Sequence, residues 1–243
     1  MLPAGAPVRS ILPGVVQAPL RATSCFLLLD RRLTLIDTGL PGSADRILRA
    51  VALCRRRPDE IERIVISHYH PDHLGSLAEL QRRLPAKAAI HAVEAPVVQS
   101  AGGPPPPFAS AALRTLARPV ANRALRYEPV RIDEPLHDGD ELSVLGGMRI
   151  VHTPGHTPGH IALYFPRMAL LIAGDALEYR EGVLSGPAAG VTADMPQAIA
   201  SLSKLAALEL DVIAFSHFPR LPVQAGAALR ALVQGAGPSS SPP

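Results

Sequence analysis

Apolar residues come in short runs along the first part of the chain, and polar or turn-forming residues separate the runs. Segments 25–30 and 33–37 are joined by two arginines, which predicts a β-hairpin. Segment 43–54 begins with Ser43, a residue type favoured as an N-cap, and has apolar residues at helical spacing, so it predicts a helix. A strand, a helix and a further strand are predicted to follow, at 63–67, about 74–83 and 88–91.

The second half of the chain repeats this order of elements without obvious sequence identity to the first half. Segments 142–145 and 149–152 flank two glycines and predict a hairpin, and segments 161–165 and 168–173 predict another. A helix and a strand are expected next, at about 195–208 and at 212–216. Strands and helices mixed in this way are typical of an α/β protein.

Two segments fit neither half. Residues 102–129 open with two glycines and four prolines and then have helical composition, which predicts an insertion that acts as a lid or a spacer. The tail 235–243 consists of glycine, serine, proline and one alanine, so it is predicted to be disordered. The rest of the chain, 1–234, is predicted to form a single domain.

Composition narrows the possible partners. The hydrophobic fraction of 47% and the charged fraction of 19% indicate a folded globular protein. The net charge is +3, but basic residues are scattered, so no nucleic-acid partner is expected. No segment reaches the roughly 18 apolar residues of a membrane span, and the two cysteines, Cys25 and Cys54, are too few for a disulfide framework. We therefore expect a cytoplasmic protein without a membrane partner.

Four side chains that can bind metal occur within the segment His68-Tyr69-His70-Pro71-Asp72-His73, directly after the strand predicted at 63–67. This is the point where a strand leads into a helix, and ligands bind at that edge of open α/β sheets. An extended His-x-His can direct both imidazoles to one ion, whereas Asp72 and His73 begin the next helix and can face a second ion. Further candidate ligands follow other predicted strands, and they are His156, Asp175 and His217.

The order of these candidate ligands along the chain resembles that of the metallo-β-lactamase fold superfamily. Among its branches the chain looks most like the glyoxalase II-like hydrolases. The resemblance covers about residues 8–234. The motifs that carry it are Leu35-Ile36-Asp37-Thr38-Gly39, the segment 68–73, the segment 153–159, Gly174-Asp175 and His217. It implies an αββα sandwich, in which two mixed β-sheets lie face to face with helices on both outer faces and a metal site lies at one edge.

The same resemblance implies that seven side chains bind two metal ions. The first ion would be held by His68, His70 and His156. The second would be held by Asp72, His73 and His217, and the carboxylate of Asp175 would bridge the two. Asp37 would orient one of the ligand histidines, as imidazoles bound to metal generally require.

Three further roles concern proton transfer, substrate binding and packing. Asp72 is expected to accept a proton in addition to binding metal. Tyr179 follows Asp175 closely, and related lactonases use a tyrosine to donate a hydrogen bond to the substrate, so Tyr179 is either a substrate-binding residue or a surface tyrosine. His160 repeats the Pro-Gly-His pattern of His156 but opens a predicted strand, so we expect it to pack beside the ligands and not to bind metal.

Imidazole and carboxylate ligands without thiolate suit zinc, iron or manganese. Two such ions about 3.5 to 4 Å apart lower the pKa of a shared water, so bridging hydroxide is the expected nucleophile. The chain has no Gly-x-Ser-x-Gly motif for a serine nucleophile. We therefore predict a dinuclear metal-dependent hydrolase of small esters, lactones or thioesters, with zinc favoured over iron and manganese.

Two alternatives stay open. Mononuclear iron relatives with the same ligand pattern oxidise glutathione persulfide, and the shared ligands do not separate them from hydrolases. A metal-bearing accessory or RNA-processing role is less favoured, because the chain lacks a flavodoxin-like domain and its basic residues are dispersed. Among hydrolase substrates, glutathione thioesters are less favoured, because full glyoxalase II enzymes carry a C-terminal helical domain and only 26 residues follow His217.

Overall fold

The first β-sheet comes from the N-terminal part of the chain, in a computed structural model that describes residues 8–100, 127–217, 219–221 and 224–235. Strands β1 to β4 pair antiparallel, and β4 to β7 pair parallel, so the sheet is mixed. Its seven strands lie side by side in chain order: β1 Arg9–Leu12, β2 Val15–Pro19, β3 Ser24–Leu29, β4 Leu33–Ile36, β5 Ile61–Val65, β6 Lys87–His91 and β7 Glu134–Leu136.

The second sheet has five strands in the order β14-β11-β10-β9-β8. Strands β11 and β14 are parallel and the other pairs are antiparallel, so this sheet is mixed as well. Its strands are β8 Glu141–Leu142, β9 Met148–His152, β10 Ile161–Phe165, β11 Leu170–Ile172 and β14 Val212–Ala214. A separate two-stranded hairpin joins β12 Glu178–Arg180 and β13 Val183–Ser185.

Six α-helices are described, together with three short 3₁₀ turns at Pro58–Glu60, Pro166–Met168 and Ala189–Val191. The helices are α1 Ala44–Leu53, α2 Pro71–Leu74, α3 Leu77–Arg83, α4 Ala95–Gln99, α5 Met195–Ala206 and α6 Ala225–Val233. None of these helices is both long enough and apolar enough to cross a membrane.

Alternation along the strands divides the apolar residues into layers. On β3, Phe26 and Leu28 pack between the two sheets, whereas Cys25 and Leu27 pack with residues of α1 to α4 on the outer face. On β10, Leu163 belongs to the layer between the sheets, and its neighbours pack against α5 and α6. The protein is therefore an αββα sandwich with helices on both outer faces, which confirms the fold predicted from the sequence.

Differences from the prediction are local. In place of the helix expected at 74–83, the structure has two short helices, α2 and α3, with Gly75 and Ser76 between them. Gly75 packs on Pro41, where a Cβ atom would collide, and the hydroxyl of Ser76 donates to the Leu40 carbonyl at 2.7 Å. Ser43 does occupy the N-cap position of α1, but its hydroxyl donates to the Leu40 carbonyl at 2.7 Å and accepts no hydrogen bond from the helix. The sequence pattern missed the short strands β1, β2, β7, β12 and β13 and the helices α4 and α6.

Most of the predicted insertion at 102–129 lies outside the described residues, which resume at Tyr127. Tyr127 and Val130 are buried in the layer between the first sheet and its helices. Residues 236–243 of the predicted disordered tail also lie outside the described part. The lid, the tail and the single-domain assignment therefore stay predictions.

Candidate metal centre

The predicted metal ligands lie in loops at one edge of the two sheets. The segment 68–73 follows β5, and Asp37 follows the parallel neighbour β4. Asp175 and His217 follow β11 and β14, which are parallel to each other, and His156 lies in the loop between β9 and β10. Because the carboxyl ends of parallel strands share an edge, the fold brings side chains from distant parts of the sequence together there.

The first group of side chains is His68, His70 and His156, all of them buried. The Nδ1 atom of His70 lies 3.0 Å from Nε2 of His68 and 3.0 Å from Nε2 of His156. Two nitrogen ligands on one tetrahedral zinc ion, each about 2.0 to 2.1 Å from it, would lie about 3.4 Å apart. The three nitrogens are therefore spaced nearly as ligands of one ion.

Hydrogen bonds determine which ring nitrogen of His68 and of His156 points toward the other ligands of the first group. Ser67 Oγ donates to Asp37 Oδ2 at 2.8 Å, so it accepts from Nδ1 of His68 at 3.0 Å. Likewise, Thr192 Oγ1 donates to the Ala188 carbonyl at 2.8 Å and accepts from Nδ1 of His156 at 3.2 Å. The Nε2 atoms of both imidazoles therefore carry lone pairs that point into the group.

The second group is Asp72, His73 and His217. Nε2 of His73 lies 3.3 Å from Nε2 of His217, and Asp72 Oδ2 lies 3.4 Å from the latter atom. The other nitrogen of each ring is engaged elsewhere, because Nδ1 of His217 donates to the Ala22 carbonyl at 2.9 Å and Nδ1 of His73 contacts Asp37 at 2.8 Å. Both Nε2 atoms therefore face the second group.

Asp175 lies between the two groups. Its Oδ2 atom is 3.6 Å from Nε2 of His156 in the first group and 3.3 Å from Nε2 of His217 in the second. Its Oδ1 atom is 3.3 Å from Nε2 of His73. One carboxylate therefore contacts both groups, which is the position that the sequence resemblance implied for it.

The pKa values of the histidines are shifted in opposite directions in the two groups. Burial lowers the pKa of His68 and of His156 well below the usual histidine value, and it lowers the pKa of His70 to about 4. Burial also acts on His73, but the carboxylates of Asp175, Asp37 and Asp72 outweigh it and raise the pKa of His73 well above the usual value. The first group is therefore neutral and rich in lone pairs, and the second holds its histidines among carboxylates.

The residues present fit a cation in the first group. With the protons of His68 and His156 on Nδ1, two Nε2 lone pairs face the single ring nitrogen of His70, which can donate to only one of them. A divalent metal ion accepts all three lone pairs, and such N-donor sets suit zinc, iron or manganese. The adjacent carboxylates of Asp72 and Asp175 supply negative charge for a second ion.

His160 does not join either group. Its Nε2 atom accepts the backbone N–H of Asp175 at 3.0 Å, and its Nδ1 atom donates to Thr153 Oγ1 at 2.8 Å. Burial lowers the pKa of His160 to about 3, so the ring is neutral. Gly174 has φ of +55°, and a Cβ atom there would lie 2.6 Å from Nε2 of His160. The ring therefore packs against the backbone that carries Asp175.

Tyr179 lies on β12, and its ring is stacked on Phe215 with the centroids 5.9 Å apart. A small cavity beside the two groups of candidate ligands is lined by His156, Gly174, Asp175, Leu177, Glu178, Ala188 and His217. Glu178, the residue before Tyr179, therefore lines this cavity. A substrate-binding role for Tyr179 stays a prediction.

Sequence reasoning missed three residues that bond to these groups or to the loops beside them: Ser67, Glu94 and Thr192. Ser67 could have been found, because it directly precedes His68. Thr192 lies 36 residues from His156, and Glu94 precedes a helix too short to predict, so the sequence pattern gave no signal for either.

Comparisons with known proteins agree with this geometry. The family model of the metallo-beta-lactamase superfamily matches residues 18–217. A probable metallo-hydrolase from Bacillus subtilis, YflN, is 30% identical over 196 residues, which cover 75% of this chain and 74% of that protein. A hydroxyacylglutathione hydrolase from Ectopseudomonas mendocina is 31% identical over 183 residues, which cover 74% of this chain but 54% of the relative.

Solved structures show the same fold. The metallo-β-lactamase MIM-1 from Novosphingobium pentaromativorans matches with a TM-score of 0.71 at 23% identity, over 96% of this chain and 88% of that chain. A metallo-β-lactamase family protein from Thermus thermophilus matches with a TM-score of 0.70 at 23% identity, over 93% and 80% of the two chains. With the family model matching 200 of the 243 residues, the chain belongs to the metallo-β-lactamase superfamily.

Proposed function

We propose that this protein is a metal-dependent hydrolase of small esters, lactones or thioesters that binds two divalent metal ions, with zinc favoured over iron and manganese. The observation that carries the proposal is the position of Asp175, whose carboxylate contacts both His156 and His217 and so joins two adjacent groups of potential ligands. One ion with an open position would not need so many donors.

The relatives support hydrolysis as the reaction class. One is named as a probable metallo-hydrolase, and another as a hydroxyacylglutathione hydrolase, which acts on a thioester. Because the alignment covers only 54% of the second relative, we do not extend its glutathione substrate to this chain. We propose a small-molecule acyl substrate and a cytoplasmic setting, the latter because Cys25 and Cys54 are both free thiols.

In this proposal His68, His70 and His156 would hold the first ion, and Asp72, His73 and His217 would hold the second, with the Asp175 carboxylate adjacent to both groups. Two ions of this kind would lower the pKa of a water molecule enough to supply hydroxide near neutral pH.

Residues of the chain orient the candidate ligands and transfer the proton. Asp72 has a side chain that is 29% exposed, so it reaches both the second group and solvent, and we assign it the transfer of a proton from the attacking water. Asp37 and Ala22 hold the two histidines of the second group through Nδ1, which fixes the direction of Nε2. Leu177 and Ala188 give the adjacent cavity an apolar side.

Elemental analysis of the purified protein and a panel of p-nitrophenyl esters, lactones and acyl thioesters test the proposal together. We expect close to two ions per chain, and hydrolysis that a chelator abolishes and added zinc restores. One iron per chain, with oxygen consumption on glutathione persulfide, would establish the mononuclear oxidising alternative instead. Protein that binds two ions but hydrolyses none of the panel would contradict the assigned bond type.

A further inference from the structure

A buried carboxylate lies behind the first group of histidines and has no part in the proposed reaction. Glu94 directly precedes α4, and the residue is 1% exposed. Its Oε1 atom accepts a hydrogen bond from the hydroxyl of Thr157 and another from the backbone N–H of Gly159 at 3.0 Å. Glu94 is therefore bonded to the loop that carries His156, although 63 residues separate it from Thr157.

Burying the carboxyl group of Glu94 is energetically unfavourable compared with burying an apolar side chain at the same position. Burial raises the pKa of Glu94 to about 7, although hydrogen bonds from Thr157 and Gly159 oppose the shift. Its second oxygen, Oε2, is buried and has no hydrogen-bond partner among the described residues. Leaving a polar atom buried in this way is destabilising, because the atom loses its hydrogen bonds to water. An apolar side chain would avoid that penalty, so the carboxylate is better explained by what it holds.

Glu94 bonds to the loop of His156 in the first group. Thr157 directly follows His156 in the sequence, so its bond to Glu94 holds that histidine from one side. The backbone N–H of Tyr69, between His68 and His70, is close enough to lower the pKa of Glu94.

The contact with the His156 loop leaves no free space. A Cβ atom on Gly159 would lie 2.6 Å from Cγ of Glu94, so the backbone there packs directly on the glutamate side chain. Only a glycine lets the backbone N–H come within 3.0 Å of the carboxylate at this point. The loop and the glutamate therefore fix each other's position.

We propose that Glu94 is a positioning residue that fixes the loop of His156 to the segment after β6 and thereby sets the affinity of this group for its metal ion. The inference rests on the proposed function, because it assumes that these three histidines bind metal. It assigns no contact between Glu94 and the metal or the substrate.

Four variants test the inference in the full-length protein. Glu94→Ala removes the acceptor, and Thr157→Val removes the hydroxyl donor in nearly the same volume. Glu94→Gln keeps an oxygen that can accept both bonds, and Thr157→Ser keeps the hydroxyl, so these two are the conservative rescues. Asp133→Ala is the matched control, because Asp133 also accepts a backbone N–H, from Ala88 at 2.9 Å, but does so far from the histidines along the strand.

The measurement is zinc affinity by competition with a chromophoric chelator, which resolves the two equivalents, together with the visible spectrum of the cobalt-substituted protein. In Glu94→Ala we expect one equivalent to bind about 10 to 100-fold more weakly, as is typical when a residue that orients a ligand is lost. Thr157→Val should weaken the same equivalent, and the double variant should be little weaker than Glu94→Ala, because the two residues act through one bond. Glu94→Gln, Thr157→Ser and Asp133→Ala should stay within about threefold of the wild type.

Unchanged affinity in Glu94→Ala and Thr157→Val, with two ions bound to the wild type, would overturn this inference and leave the proposed function intact. Equal weakening of both equivalents, with a matching fall in the melting temperature of the metal-free protein, would show a general structural role and also overturn it. A wild-type protein that binds no zinc or cobalt would overturn both the inference and the proposed function.

Discussion

Oδ2 of Asp37 lies 2.8 Å from Nδ1 of His73, and both side chains are almost completely buried. Ser67 completes the arrangement, because its backbone N–H and its hydroxyl donate to the two oxygens of Asp37 at 2.7 and 2.8 Å. Asp37 has φ of +60°, a left-handed conformation that aspartate tolerates better than most residues. The turn after β4 therefore presents a fully bonded carboxylate that directs Nε2 of His73 toward the second group.

Asp37→Asn should weaken metal binding at the second group. The amide has nearly the same shape, but one of its ends donates, so it cannot accept all three bonds that the carboxylate accepts, from the Ser67 N–H, the Ser67 hydroxyl and Nδ1 of His73. We expect a loss of about 10 to 100-fold in affinity for one equivalent of zinc, measured by chelator competition. Asp45→Asn is the control, because Asp45 is an exposed carboxylate on α1 that pairs with Arg83. Wild-type affinity in Asp37→Asn would show that this bond does not orient a ligand.

Asp175→Ala should lower activity more than His160→Ala. Asp175 contacts both groups, whereas His160 only accepts the backbone N–H of Asp175. For His160→Ala we expect a loss of about 10 to 100-fold at saturating metal, and for Asp175→Ala a larger loss with reduced metal content. His137→Ala, at an exposed site, should resemble the wild type. Equal losses in the Asp175 and His160 variants would mean that His160 has a more direct role.

Gly174→Ala should destabilise the protein and displace Asp175. Gly42 provides a matched control, because both glycines have positive φ but only Gly174 lacks space for a side chain. Alanine at either site meets the same kind of backbone strain, and at Gly174 it must also push the ring of His160 away. We expect Gly174→Ala to lower the free energy of unfolding by at least about 1 kcal/mol more than Gly42→Ala. Urea denaturation measures the difference, and equal effects would show that the ring moves freely.

Glu94 should make the stability of the metal-free protein depend on pH. Its pKa is raised from 4.5 to about 7 in the folded state, so its contribution to stability is fully present below pH 4.5 and is lost as the pH rises through about 7. This shift corresponds to about 3 kcal/mol. Relative to Glu94→Gln, the wild type should therefore lose stability by roughly that amount between pH 4 and 8.

Urea denaturation of both proteins in the presence of a chelator, at several pH values, measures this difference. Other titrating groups are common to the two proteins and cancel. Glu62→Gln, at an exposed position, controls for the loss of one carboxylate. A difference between wild type and Glu94→Gln that does not change with pH would contradict the prediction.

The apolar runs of the sequence predicted most of the strands, and the resemblance of its motifs implied the layers of the fold. Cys25 to Leu29 are all apolar, so the sequence predicted a strand there but not which of its side chains face the second sheet. The candidate ligands were readable for a similar reason, since His68, Asp175 and His217 each follow an apolar run that becomes a strand. Local order along the chain is sufficient for conclusions of this kind.

Only the tertiary structure decided which distant residues touch. Glu94 meets Thr157 because of how the segment after β6 packs against the loop between β9 and β10, and no local pattern encodes that contact. Gly75 and Ser76, between α2 and α3, likewise contact Pro41 and Leu40, which come from another loop. The ring of Tyr179 lies on Phe215 because a hairpin too short to predict places it there. Packing between elements fixes such contacts, and it is settled only when the whole chain folds.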